Sequence, residues 1–370
     1  MQYTNPAAYP PLEHSSQLLA ERGWDVLFLG IESWGSASLR FPNYSGIRVL
    51  QLGRRRWRFQ KMHYLMFFGW CLWRILRNRT SWIYASDMMA CPVAVAANLL
   101  FRIPIVYHEH DGPARDASGA VARFWLWLRD VCARRARVCI LPNRLRAERL
   151  AAESRRDEPP LVIWNCPRRR EVGAVRSGKP QGVKILYHGT IVPERVPLEV
   201  VDALANFPDA VSLTVVGYET AGSEGYRNTL RQRAAALGIA DRIIFVDPMD
   251  RSDLMKACPL YDLGLALVPM RARDFNFTAM TGASNKPFDY LACGLALLTS
   301  RLRDWEEMFT APGYGLACDP GSAKSIGAAL RWFYDHPEEM RAMGERGRRK
   351  ILGEWNYESQ FEPMWEHLHG

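Results

Sequence analysis

The stretch 281–300, TGASNKPFDYLACGLALLTS, decides the fold. Ser284 and Asn285 suit the N-cap of a helix, and Pro287 suits its first turn, where a missing N–H costs nothing. Gly294 accepts the left-handed conformation that ends helices. LALLTS then reads as a buried strand. The stretch is therefore a loop, a helix of about two turns and a strand. A helix N-terminus presents N–H groups and about half a positive charge, and Lys286 adds a full one. That combination is a socket for an anion such as a phosphate. Asp289, one turn in, would be repelled by an anion that it faced. It suits neutral hydroxyls beside the phosphate, such as those of a ribose. The plainer alternative is a capped helix with an i,i+3 ion pair between Lys286 and Asp289.

The same alternation of strand and helix extends in both directions. Strands are predicted at 24–31, 47–52, 82–86, 103–109, 137–142 and 161–165, with helices at 12–22, 61–77, 90–101, 119–135 and 143–153. A polar stretch with Gly and Pro, 168–182, reads as a linker. The pattern then restarts, with strands at 183–189, 211–217, 242–247, 263–269 and 295–300. Helices are expected at 196–206, 224–237, 251–258, 286–293, 322–335 and 338–352. Nearly continuous apolar strands alternating with helices imply parallel sheets covered on both faces. Two such runs imply an α/β protein of two doubly wound, Rossmann-like domains, 1–176 and 183–355, with a helix in 356–370 packing back on the first. Ligands of such sheets sit beyond the carboxyl ends of the strands, here in a cleft between the domains. The first strand is the exception. NPAAYPP (5–11) already reads as the loop that follows it, which leaves only MQYT, so this strand is short or begins upstream of Met1.

With 370 residues, 48% apolar and 24% charged, the chain can build two cores and is not disordered. Its net charge of +9 favours anionic partners such as nucleotides, phospholipid surfaces or acidic sugars. No nucleic-acid-binding module is visible, so nucleic acid is not expected as a partner. The eight cysteines form no C-x-x-C and lie mostly in apolar runs, which suggests core residues in a reducing compartment. The opening residues lack a signal-peptide pattern. No uncharged apolar run reaches the roughly 18 residues that a membrane span needs. The expectation is a cytoplasmic protein.

Strand ends carry the candidate chemistry. VYHEHDGPAR (106–115) offers His108, His110 and Asp111 at the end of a first-domain strand. Paired histidines among carboxylates suit acid–base or sugar-binding work, while single histidines are more often structural. H-x-H could also ligate a metal, but the sequence shows no third ligand cluster, so no metal is expected. YHGTIVPERV (187–196) opens the second domain with Gly189 and Thr190 at a strand end, where a ligand can approach the backbone. Arg195, just before the next helix, can meet phosphates bidentately or stand as a solvated loop arginine. Gly217, in VVGYETAG, also ends a strand. FVDPMD (245–250) could offer backbone groups to a base edge or be a plain turn.

These residues carry a resemblance. The second half resembles the C-terminal domain of the family 4 glycosyltransferases, enzymes of the GT-B fold with two Rossmann-like domains. The matching stretches are ILYHGTIVPER, VSLTVVG, IIFVDPMDRSDL, DLGLALVP and above all NKPFDYLACGLALLTS, and the tail 319–351 is similar too. The likeness is close over 183–355 and looser in the first half, through RGWDVLFLG and IPIVYHEHD. The resemblance implies that Arg195 holds the donor diphosphate with Lys286 and that Asp289 binds the ribose. It implies that Thr281, Gly282, Ala283 and Asn285 meet phosphate and donor sugar, and that His110, with His108 second, sits by that sugar. Two positions depart from the family pattern. The acid that often precedes the ribose acid is replaced by Thr281, and the usual lysine is replaced by Arg195. The implied activity is a retaining, metal-independent transfer of a sugar from a UDP- or GDP-sugar to a hydroxyl acceptor, with no separate cofactor. A sugar-nucleotide epimerase of the same fold, or a non-catalytic binding protein, stands as the alternative.

One further stretch faces outward in character. GRRRWRFQKMHYLMFFGWCLWRILRNR (53–79) joins a basic, aromatic run to an apolar helix too short to span a bilayer. It fits a helix lying in the interface of an anionic membrane, as does ARFWLWLRDVCARRAR (122–137). A core helix with a solvated basic edge is the other reading of each. A lipid-linked acceptor, as in bacterial surface-polysaccharide or glycolipid assembly, would account for a peripheral position on the inner face of the cell membrane.

Overall fold

A computed structural model describes residues 1–32, 39–53, 60–113, 119–175, 182–220, 222–272 and 274–368. The chain divides into two compact units. One holds Met1–Asn165, Asp274–Ala283 and Tyr357–Gly370; the other holds Cys166–Arg273 and Ser284–Asn356.

In the first unit, β1 (Val26–Ile31) and β2 (Ile47–Leu52) pair in parallel. A second ladder, also parallel, runs β3 (Ile83–Ser86), β4 (Ile105–His108), β5 (Val138–Leu141), β6 (Leu161–Val162). Met1–Thr4 bridges the two. The Gln2 N–H donates to the Leu29 carbonyl and the Ile31 N–H to the Thr4 carbonyl, while the Ser86 N–H donates to the Met1 carbonyl, each at 3.0 Å. Residues 1–4 form no regular strand of their own, but these three hydrogen bonds tie β1 to β3. Asn5 then turns the chain by accepting the Ala7 N–H at 3.0 Å, and the helix Pro10–Glu21 follows. Gly30 admits that turn, because a Cβ there would lie 2.6 Å from Pro6.

Successive residues of a strand face opposite sides, and β4 shows it. Ile105 and Tyr107 enter a core with Phe67, Cys71, Ala94 and Cys132, contributed by the helices Gln60–Arg77, Cys91–Phe101 and Ala120–Arg135. Val106 faces the other way, into a cluster with Leu18, Tyr357, Phe361 and Met364. The last two helices, Tyr357–Phe361 and Met364–Leu368, therefore complete the first unit.

The second unit is one parallel sheet of β7 (Val183–Thr190), β8 (Val211–Tyr218), β9 (Ile243–Val246), β10 (Leu263–Ala266), β11 (Ala296–Ser300) and β12 (Gly315–Cys318). Their spatial order is β12-β11-β10-β7-β8-β9. The order reverses between β7 and β10, and ligands of such sheets bind at that switch, beyond the strand ends. Sequence reading did not anticipate β12. The polar stretch expected as a linker also behaves differently. From Cys166 it belongs to the second unit, where the Gly173 N–H donates to the Ala292 carbonyl at 3.0 Å and Glu171 pairs with Arg251 at 2.6 Å. Residues 176–181 of that stretch lie outside the described residues. All eight cysteines are free and buried. Among the described residues no helix is long and apolar enough to cross a membrane.

Candidate functional site

In the second unit the site is built at the carboxyl end of β7. Gly189 adopts φ +124°, which an L side chain resists, and a Cβ there would meet the Lys286 side chain at 2.9 Å from Cε and 3.0 Å from Nζ. The missing side chain is the space that the ammonium occupies. Gly217, alongside on β8, is required for a different reason: a Cβ there would fall 1.8 Å from the Gly189 carbonyl. Lys286 opens the helix Asn285–Ala292, whose N-cap Ser284 makes no side-chain capping bond. It is only 9% exposed, with Nζ 5.7 Å from the Tyr187 ring centroid. The same Tyr187 phenol feels the charge of half-buried Arg195, and its hydroxyl donates to the Thr190 carbonyl. One cation thus faces this ring at the strand end, and the charge of a second reaches it.

Asp289 is 0% exposed. Arg251 grips it with Nη2–Oδ1 at 2.8 Å and Nη1–Oδ2 at 3.2 Å, and the Asn285 amide donates to Oδ2 at 2.9 Å. Burial works against the Arg251 charge, but the Asp289 and Glu171 carboxylates more than offset it and hold the guanidinium charged. His188, next to Gly189, brings Nε2 to 3.6 Å from Asp289 Oδ2. Burial, with Lys286 and Arg251 nearby, pushes this imidazole down to about 3 despite the carboxylate. The acid expected to meet a ribose therefore lies beneath the surface, with the Arg251 guanidinium and the Asn285 amide on its oxygens.

In the first unit the site lies at the end of β4. His108 is fully buried, and its Nδ1 shares a 2.7 Å hydrogen bond with the Tyr84 hydroxyl. Its ring lies 4.0 Å, centroid to centroid, from that of His110. His110 is 4% exposed, and neither of its ring nitrogens has a hydrogen-bond partner among the described residues. Burial, together with the nearby Arg146 charge, pushes His110 down to about 4, while Asp111 pulls the other way. Asp111 itself is largely exposed, 3.2 Å from Arg146. Glu109, between the histidines, takes no part: it faces the opposite side and is bound by Arg129 at 2.6 Å. Asp87 holds the His110 N–H at 2.8 Å from a backbone position of positive φ, +60°.

The residues expected to offer N–H groups to a phosphate, Thr281, Gly282 and Ala283, belong to the first unit, whereas Asn285, Lys286 and Asp289 belong to the second. Gly282 sits at φ +74°, and a Cβ there would lie 2.3 Å from the Pro142 carbonyl. The Ala283 N–H already donates to the Met280 carbonyl at 3.0 Å, so it is not available to a phosphate in this arrangement. Among the described residues, no three His, Cys, Asp or Glu side chains gather to hold a metal ion. Sequence reasoning missed His188, Arg251, Glu171 and Asp87. Of these only His188 had a local signal, one position before the strand-end glycine.

The buried imidazoles make stability depend on pH. The unfolded chain protonates histidine near about 6.5, whereas native His110 resists protonation down to about 4. The unfolded state binds more protons in that window, so stability falls as pH is lowered through it. His108 and His188 act in the same sense. Asp87, pushed up to about 7 by burial, acts oppositely, since its native state holds a proton that the unfolded state releases. Three imidazoles outweigh one carboxyl. The urea midpoint is expected to be lower at pH 5 than at pH 6.5, and a higher midpoint at pH 5 would contradict these burials.

Two family models match the chain: a glycosyl transferase 4-like domain over residues 12–166 and a glycosyl transferase-like domain over residues 199–366. Among solved structures it is similar to HepE of Anabaena in complex with UDP-glucose. The identity is 16%, 100% of this chain and 98% of that one are covered, and the TM-score is 0.74. It is similar to sucrose-phosphate synthase of Thermosynechococcus elongatus at 14% identity, with the same coverage and a TM-score of 0.72. WaaG, a glycosyltransferase involved in lipopolysaccharide biosynthesis, matches at 14% identity, 100% and 98% coverage and a TM-score of 0.63. No curated protein matches by sequence.

Proposed function

Since the chain belongs to the glycosyltransferases of the GT-B fold, we propose that it moves a sugar from a UDP- or GDP-sugar to the hydroxyl of a lipid-linked acceptor, with retention and without a metal. The observation that carries this reading is the Lys286 ammonium held against the bare backbone of Gly189 and facing the Tyr187 ring at the switch point of the second sheet. In the reaction, the bond from the anomeric carbon to the diphosphate breaks and the nucleotide leaves with the electron pair. The acceptor oxygen bonds to that carbon and its proton passes to the oxygen of the leaving diphosphate. Charge grows on the leaving diphosphate, so preorganised cations near it lower the barrier most. Lys286, Arg195 and the start of the helix Asn285–Ala292 supply them. The ribose hydroxyls take the place of the Asn285 amide on Asp289. His110 is neutral at physiological pH and offers its unpaired nitrogens to a sugar hydroxyl.

A membrane-borne acceptor suits the outer side of the first unit. On the helix Gln60–Arg77, the buried residues are His63, Phe67, Cys71 and Ile75, while Met62, Leu65, Met66, Trp73 and Leu76 are exposed beside Lys61 and Arg77. The helix Ala120–Arg135 exposes Val121, Phe124 and Trp127 beside Arg123, and the Tyr64–Trp125 edge contact at 4.9 Å joins the two helices. Exposed aromatics interleaved with cations are the composition that binds anionic lipid interfaces. The basic run 54–59 that precedes them lies outside the described residues. The proposed setting is a cytoplasmic enzyme, peripheral on the inner membrane face, in surface polysaccharide or glycolipid assembly.

The experiment screens UDP- and GDP-sugars for protection from thermal unfolding. The protecting donor is then supplied with lipid-linked acceptors in anionic and neutral vesicles. One donor is expected to raise the unfolding midpoint and to be consumed only with acceptor, faster on anionic vesicles. Isomerisation of the donor without acceptor would make the protein an epimerase. Binding without turnover under any condition would make it a binding protein.

A further inference from the structure

We propose that Arg146 and Asn276 are positioning residues that lock the His110 loop and the segment Asp274–Ala283 into one piece, so that the imidazole and the donor-facing backbone keep a fixed spacing. This rests on the reading of His110 given under the proposed function and on the expectation that the 281–282 backbone meets the donor.

The segment Asp274–Ala283 lies, in sequence, inside the second half, yet it is held by three successive strand ends of the first unit. After β4, Gly112 and Asn276 bind each other twice: the Gly112 N–H donates to Asn276 Oδ1 at 3.0 Å, and the Asn276 amide donates to the Gly112 carbonyl at 2.9 Å. After β5, the Asn143 amide donates to the Ala279 carbonyl at 2.8 Å. After β6, the Asn165 N–H and amide donate to the Gly282 and Ala283 carbonyls at 2.8 and 2.7 Å.

Arg146 stands at the middle of this lashing. Its guanidinium donates to the His110 carbonyl, to the Asn276 carbonyl at 2.9 Å and to the Ala279 carbonyl at 3.0 Å. The side chain is 3% exposed, and the acid it touches, Asp111, is 68% exposed and weakly placed at 3.2 Å. A buried cation answered mainly by carbonyl oxygens is a costly way to fill space, and an apolar side chain would pack there more cheaply. What a guanidinium adds is a rigid planar fork that fixes several acceptors in one geometry. Here those acceptors come from the His110 loop and from the lashed segment, so the fork sets the distance between them. A displacement of even an ångström between groups that share one substrate costs turnover more than binding.

The test compares Arg146→Met, Asn276→Ala and the double variant of the full chain. The donor KM is expected to stay within about threefold, and whichever of UDP and GDP protects the wild type should still raise the unfolding midpoint, since the nucleotide is assigned to Lys286 and Asp289. The kcat is expected to fall about 30-fold for Arg146→Met and about 10-fold for Asn276→Ala, with the double variant close to the worse single one, because coupled residues are not additive. Hydrogen exchange reads the same lock without turnover: in Asn276→Ala, amides of 108–112 and of 274–283 are expected to lose protection together. Folded variants with unchanged kcat, losses that multiply, or deprotection confined to 274–283 would each overturn the inference. Should Arg146→Met fail to fold, Asn276→Ala alone decides through kcat and exchange. A wild type that consumes no donor sinks the proposed function instead, and the exchange arm still decides this one.

Discussion

Replacing Lys286 by alanine is expected to slow sugar transfer about 100- to 1000-fold, the range seen when one preorganised group aimed at developing charge is removed. The protein should remain folded. Lys286 is 9% exposed and its ammonium lies beside the bare backbone of Gly189, so the native state holds a nearly desolvated cation there. Alanine is a good helix former in the first turn, so the helix Asn285–Ala292 should persist. The measurement is steady-state turnover with saturating donor, alongside thermal unfolding of the apo variant. Turnover within threefold of wild type would remove Lys286 from the leaving-group site. A collapse of the fold would show that its role is structural.

Asp289→Ala is expected to behave in the opposite way, with the fold suffering first. Removing one member of a buried ion pair leaves the other uncompensated and typically costs about 3–5 kcal/mol. Arg251 keeps a second carboxylate, Glu171, at 2.6 Å, so the lower end of that range is expected. Equilibrium urea unfolding reads it. Asp289→Asn retains a carbonyl acceptor for Arg251 and should lose less stability than alanine while still losing donor affinity. Equal stability of Asp289→Ala and wild type would mean that the Arg251 grip contributes nothing. The contrast with Lys286 is expected to separate the two charges of one short helix: loss of turnover without loss of the fold at one, loss of the fold at the other.

Much of this architecture was legible because strands buried on both faces are continuous apolar runs, and such runs need no partner to be recognised. The predicted second-half strands at 183–189, 211–217 and 295–300 match β7, β8 and β11 within a residue or two. The strand β12 escaped because GLAC is short, follows Pro312 and Gly313 and itself begins with a glycine, so the stretch reads as loop. Its register beside β11 depends on a contact that sequence does not announce: a Cβ at Gly315 would lie 2.1 Å from the Leu297 carbonyl. The site divides along the same line. Gly189, Lys286 and Asp289 stand at strand and helix ends, where local grammar points. Arg251 reaches Asp289 across 38 residues and Glu171 across 80, and Arg146 reaches Asn276 across 130. A single sequence carries no local mark of such pairings. The helix 60–77 was ambiguous for another reason, since an apolar helix looks alike whether its stripe is covered once or twice. Burial of Phe67, Cys71 and Ile75 accounts for one side and leaves Leu65, Trp73 and Leu76 outside.

The chain passes from one unit to the other at 165–166, 273–274, 283–284 and 356–357. This has a consequence for how the protein is made. Domains commonly fold in order as the polypeptide leaves the ribosome, the earliest first. Here the leading unit cannot close when its own strands have emerged. Tyr357, Phe361 and Met364 are still untranslated, and they cover Leu18, Val106 and Ile140. Until those residues emerge, that apolar sheet face lacks part of its cover, and a nascent chain of this design has reason to depend on a chaperone.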